Sequence, residues 1–191
     1  FAKVKNPYLY GEVSISRTAR YYPATLIFKP LIILSALFLL VYWKNNLNLF
    51  KGFESKNIIH KFSKTFYYLG LLSCLFLILH ASFLGLDFDS KLFKSIRRII
   101  IIAFILFEVS AQVVLTMNLY KFKENIKNYI FPVIIKIKII FVSIILFVTV
   151  LVFLLLVFGD LSSYMKHMLE WNYFSILLIY YLFSRLLWRS K

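Results

Sequence analysis

The stretch IIFVSIILFVTVLVFLLLVF, residues 139–158, decides the fold class. It runs for 20 residues without a charge, a Gly or a Pro, and a bilayer core of about 30 Å needs roughly 20 apolar residues of helix to cross it. A tilted transmembrane β-strand would need only about half that length and would alternate polar with apolar positions. This run does neither, so it predicts a membrane-spanning α-helix. Four further stretches follow the same pattern, residues 24–43, 66–86, 99–119 and 171–188. The chain is therefore expected to be all-α, a polytopic transmembrane helical bundle with five spanning helices in one domain, residues 1–191. Residues 1–23 form a polar, Tyr-rich segment that cannot span and is expected to be extracytoplasmic.

Composition supports that class. Of 191 residues, 61% are hydrophobic, with only 5 Gly and 4 Pro, and the mean hydropathy is +0.80, beyond what a soluble domain can wet. A formal charge of +15 would suggest nucleic acid in a soluble chain. In a polytopic membrane protein Lys and Arg collect in loops and face lipid phosphates, so the expected partners are membrane lipids, with other membrane subunits as the alternative, and no nucleic acid. Cys74 is the single cysteine, which excludes an intramolecular disulfide and reads as a small core side chain. No cofactor is expected.

The loops set the orientation. One side carries ten Lys and Arg, the other thirteen, including the C-terminal tail. The positive-inside rule then puts the C-terminus in the cytoplasm. Lys29 and Pro30 interrupt the first run and predict a kink or loosened turn there. Pro132 reads as a first-turn residue of the fourth helix, with Lys136 and Lys138 snorkelling to the headgroups. The chain begins with Phe1 rather than Met, so something upstream is expected to be removed, left out or not seen; if it is another helix, both termini are cytoplasmic.

Candidate sites are few. In FILFEVSAQVVLT, residues 104–116, Glu108, Ser110 and Gln112 interrupt an otherwise oily run. Glu108 lies near the expected midplane, where a charge costs about 2.5–3.5 kcal/mol on insertion scales, and Gln112, four residues on, shares its face. Interhelical hydrogen bonding, a lipid or substrate pocket, and proton-linked transport all remain open for the pair. A second group, His80, Asp87, Asp89, Asp160, His167 and Glu170, would share one membrane face, with Trp171 beside it. Such groups could bind zinc and activate a water against a lipid ester, but no His-Glu-x-x-His spacing supports a metal, and none is assigned. No Gly-x-Ser-x-Gly elbow or Gly-rich phosphate loop is present. The basic segments interleave Lys with aromatic and aliphatic residues, a pattern suited to an anionic leaflet at about 1 kcal/mol per Lys. Lys51, Lys56, Lys61, Lys64, Lys121, Lys123, Lys127, Lys136 and Lys138 are the expected lipid contacts.

NPYLYGEVSISRTARYYPATLIF, from Asn6 onward, resembles the first extracytoplasmic loop of the damage-regulated autophagy modulators and their relatives, the post-GPI-attachment lipid-remodelling proteins and the fungal Sfk-type suppressors. The matching residues are Asn6, Pro7, Ile15, Ser16, Thr18 and Pro23, with Arg17 where the family has an acid. SYMKHMLEWNYFSILLIYYLFSR is similar to the family's last helix, with Glu170 and Trp171 as its Glu-Trp pair, and FEVSAQ to its middle helix, with Gln112 as its Gln. The resemblance implies a six-helix fold, an endomembrane location and work on or near lipids. Members differ: some remodel GPI-anchor lipids, as acyltransferases or hydrolases would, and others modulate autophagy or phosphoinositide handling. The expected function is lipid remodelling or lipid-dependent regulation. A non-enzymatic subunit of a larger membrane complex and a proton-linked transporter using Glu108 are the alternatives.

Overall fold

The computed structural model describes residues 6–19, 21–86, 90–158 and 162–189. Two single-turn helices, α1 (Pro7–Tyr10) and α2 (Ile15–Thr18), precede five long ones: α3 (Ala24–Ser55), α4 (Thr65–Phe83), α5 (Lys91–Lys121), α6 (Pro132–Phe158) and α7 (Ser163–Leu186). Ser90 and Ser162 start α5 and α7 as N-caps, accepting from Phe93 N and Met165 N, which satisfies backbone donors the helix leaves open. α6 begins on Pro132, as its sequence predicts. α3 runs through Pro30.

Among the described residues four helices, α3 to α6, are long and apolar enough to cross a membrane, against five expected. The fifth stretch does fold as helix α7, at 24 residues. Its apolarity is diluted by Tyr173, Ser175, Tyr180, Tyr181 and Ser184, and several of these hydroxyls turn out to serve the bundle interior.

α3 also overruns its expected end at residue 43. Its 32 residues extend about 48 Å, more than a bilayer core requires. The reason lies in its sequence: Trp43, Asn46, Leu47, Phe50 and Phe53 recur at helical spacing and are all buried, so one face of the extension has a core to enter. That core is an aromatic layer at one end of the bundle. Phe53, Ile59, Phe62, Phe122, Ile126 and Ile130 close it, and Asn118 clasps Ser63 through its amide, donating to the carbonyl at 2.8 Å and accepting from the N–H at 3.3 Å. Ile130 pairs with Trp188 in an isolated antiparallel bridge. Outside lipid, each such Phe contributes about 1.5–3 kcal/mol by leaving water.

Within lipid that force vanishes, because acyl chains are as apolar as Leu, and close packing and hydrogen bonds must hold the helices. α4 packs on α3 and α5, and α6 on α5 and α7. Gly70 lets α4 sit against the Trp43 indole; a Cβ there would collide with the ring.

At the opposite end the N-terminal segment straps onto α7. Gly11, at φ 58°, touches the α7 backbone so closely that a Cβ would overlap Tyr164 O, and only glycine meets both demands.

Candidate functional site

Glu108 is fully buried, at the centre of a hydrogen-bonded cluster that joins three helices. From α4, Ser73 Oγ reaches its Oε2 at 2.6 Å. From its own helix, Gln112 Nε2 donates to Oε1 at 3.0 Å. From α7, the Tyr181 hydroxyl donates to the same Oε1 and accepts from Gln112 Nε2 at 3.3 Å. Trp43 Nε1, from α3, is buried without a hydrogen-bond partner. Gln112 Oε1 is likewise buried without a partner.

The polar interior continues along α7. The Tyr180 hydroxyl lies 3.1 Å from Thr116 Oγ1 and 3.4 Å from the Gln112 carbonyl. One turn further on, Ser184 accepts from the Tyr42 hydroxyl at 3.1 Å and from Lys138 Nζ, and donates to Tyr180 O at 3.1 Å. Lys138 Nζ also lies over the Tyr180 ring, 3.8 Å from its centroid. α7 therefore meets α3 and α5 chiefly through tyrosines; the Tyr42 and Tyr181 rings stand edge to face at 5.1 Å.

Lys138 corrects an expectation. Its position predicts a side chain that snorkels to the headgroups, but it is 1% exposed, because two residues beyond exposed Lys136 a helix has turned about 200°, to its opposite face. Lys51, Lys56, Lys61, Lys64, Lys121 and Lys127 are exposed, and Lys123 is half-buried with its amine 4.4 Å from the Tyr120 ring centre. Ser110 points away from the cluster; it is exposed and lines a 250 Å³ groove between α5 and α6 with Leu106, Val109, Leu146, Thr149 and Val150.

The membrane-mouth residues serve the strap. His167 Nδ1 lies 2.9 Å from Gly11 O; a carbonyl only accepts, so Nδ1 carries the hydrogen. Trp171 Nε1 donates to Val13 O at 2.8 Å, its ring meets Tyr8 edge to face, and Asn172 Nδ2 donates to Tyr8 O at 2.9 Å. His80 is elsewhere, on α4, with its Nδ1 buried and unpartnered. Asp87, Asp89 and Asp160 lie outside the described residues. Among the described residues, no three His, Cys, Asp or Glu converge as metal ligands.

Sequence reasoning missed Ser73, Thr116, Tyr42, Tyr180, Tyr181 and Ser184. Thr116 was within reach, since Glu108, Gln112 and Thr116 recur every four residues along α5.

A bundle with four membrane-length apolar helices around a hydrogen-bonded polar interior fits one class, the integral multi-pass membrane protein. No family model, curated protein or solved structure matches this chain.

Proposed function

We propose that this protein acts through membrane lipids, in lipid-dependent regulation at an endomembrane, with its C-terminus and aromatic layer on the cytoplasmic side. One observation carries the reading: Lys51, Lys56, Lys61, Lys64, Lys121, Lys127 and Lys136 are all exposed on segments tied together at one end of the bundle. An anionic leaflet attracts such an end with about 1 kcal/mol per lysine near the surface. Lipid remodelling, which the family resemblance implies, draws less support, because His167 and Trp171 already engage the N-terminal strap through a ring nitrogen each. The test is thermal stability of the purified chain in nanodiscs. Phosphatidylcholine doped with an anionic phospholipid is expected to raise Tm above undoped discs, less so at high salt, and neutralising Lys61, Lys64, Lys121 and Lys127 together is expected to remove the gain. Equal Tm in both discs sinks the reading.

A second reading, a subunit of a larger membrane assembly, rests on α3. Only 6% of the residues in its most apolar stretch are buried, against 28% to 44% in the other three spans, which leaves a helix-wide face for a neighbouring subunit. Native electrophoresis after mild solubilisation tests it; a monodisperse monomer would exclude it.

A further inference from the structure

The N-terminal strap is tied to α7 through its own backbone. Tyr8 O accepts from Asn172 Nδ2, Gly11 O from His167 Nδ1 and Val13 O from Trp171 Nε1, so three α7 side chains each meet a main-chain carbonyl. The amides are met within the strap: Tyr8 N donates to Asn6 Oδ1, Leu9 N and Tyr10 N to Asn6 O, and Gly11 N to Pro7 O. Pro7 has no N–H to satisfy. A loop in water has no need of such provision, because solvent supplies it, whereas a segment in lipid must find its partners inside the protein. We propose that α1 dips into the bilayer beside α7 as a re-entrant segment, with Leu9 and Tyr10 set among the acyl chains of the leaflet that surrounds the start of that helix.

The levels of the neighbouring helices agree. Successive long helices alternate in direction, so α3, α5 and α7 start at this end and α6 finishes there. The Tyr42 hydroxyl on Ser184, with the Tyr42 ring against Tyr181, puts residue 42 level with residues 181–184. Counting back at about 1.5 Å per residue, Ala24, where the apolar run of α3 starts, is level with residues 163–166 of α7. The bond from Gln112 Nε2 to the Tyr181 hydroxyl sets Ile99, the start of the α5 run, level with about residue 168, and the contact of Lys138 with Ser184 sets Phe158, the end of α6, level with about residue 164. Tyr8 is held deeper, by Asn172 at its carbonyl, Trp171 at its ring and Ser175 at its hydroxyl. It therefore lies about 6–14 Å below the boundary. The charges stay out. Thr25 Oγ1 donates to Ala19 O at 2.7 Å and so keeps α2 and its Arg17 at the top of α3, while Glu12 follows Gly11, which abuts Tyr164. What α1 presents outward is apolar or aromatic, since Leu9 is 68% exposed and Tyr10 55%. Tyr21 and Tyr22, exposed just ahead of α3, fall at the boundary itself, where the amphipathic rings of tyrosine belong.

Spin labels locate the segment. The full chain in phosphatidylcholine nanodiscs carries a label at Leu9→Cys, with Leu37→Cys on the exposed face of α3 as the lipid reference and Lys56→Cys as the aqueous one; Cys74 is buried. Power saturation is expected to show the label at position 9 relaxed more by oxygen than by a water-soluble nickel chelate, as at position 37, with the reverse at position 56. A label at position 9 that behaves as at position 56 overturns the insertion, and one shielded from both reagents overturns lipid as the occupant in favour of a protein neighbour. Leu9→Asp gives a second reading that needs no label. In water so exposed a side chain tolerates the change, but a carboxylate at this depth is expelled. Trypsin cleavage after Arg17 in nanodiscs is therefore expected to speed up roughly tenfold in Leu9→Asp and to keep the wild-type rate in Leu9→Phe. Acceleration in both variants, or in neither, overturns the insertion.

Discussion

Ser73 Oγ stands 2.6 Å from Glu108 Oε2 and 2.8 Å from Gly70 O of its own helix, two oxygen neighbours for a hydroxyl with one hydrogen to give. That relationship sets what position 108 must provide. A group able to donate toward Ser73 and accept from Tyr181 suits the site, and a side-chain amide does both. Glu108→Gln is therefore expected to unfold within about 1 kcal/mol of wild type, while Glu108→Ala, which removes the acceptor shared by Ser73, Gln112 and Tyr181 from a buried site, is expected to cost about 1–3 kcal/mol. Thermal or denaturant unfolding of the purified variants checks the order. A proton-linked transporter working through Glu108 would instead lose flux in the folded Gln variant.

Gly70 is expected to tolerate no side chain. Gly70→Ala drives a methyl into the Trp43 ring, and overpacking of this kind costs about 1–3 kcal/mol. Trp43 fluorescence should shift along with the fall in Tm. An unchanged spectrum and an unchanged Tm would contradict the α3–α4 packing.

Lys138 and Lys136 should separate under chemical labelling. A water-soluble amine reagent is expected to modify Lys136 and to spare Lys138, whose Nζ lies between Ser184 and the Tyr180 ring. Peptide mass spectrometry reads the ratio, with protection of Lys138 on the order of tenfold or more, the equivalent of about 1.4 kcal/mol or more of opening cost. Equal modification would put Lys138 back at the surface.

The strap should depend on Gly11. Gly11→Ala is expected to release the N-terminal segment from α7, and trypsin cleavage after Arg17 should then speed up roughly tenfold, corresponding to about 1.4 kcal/mol of lost local stability. Intact-mass time courses follow it. Trp171→Phe, which keeps a ring but loses the donor to Val13, should fall between the two.

The architecture was legible in the sequence wherever apolar length alone decides it, as at residues 139–158. It was less so where a polar run folds onto an aromatic layer. Residues 44–55 follow the end of the apolar run and are broken by Lys44, three asparagines, Lys51, Gly52 and Glu54, so apolar length alone stops the helix at 43, yet Leu47, Phe50 and Phe53 carry a helical period through them. In the site, Glu108 and Gln112 stood out because they are rare in an oily run. Their partners Ser73, Tyr180 and Tyr181 did not, since single hydroxyls are ordinary in membrane helices and only the fold reveals which ones face inward. Lys138 was misassigned for the same reason: position along a helix is visible in sequence, whereas the direction a side chain takes at the membrane boundary depends on a neighbour 46 residues away.

α7 bears on how the protein is made. It follows the four apolar spans in the chain and brings Tyr181 to Glu108 and Ser184 to Lys138. Until it is synthesised, those two ionisable side chains have no partner from it, and the bundle face it will cover stays open to lipid. A chain halted before residue 163 would leave Glu108 without Tyr181 and Lys138 without Ser184 in a bundle whose four apolar helices are already made.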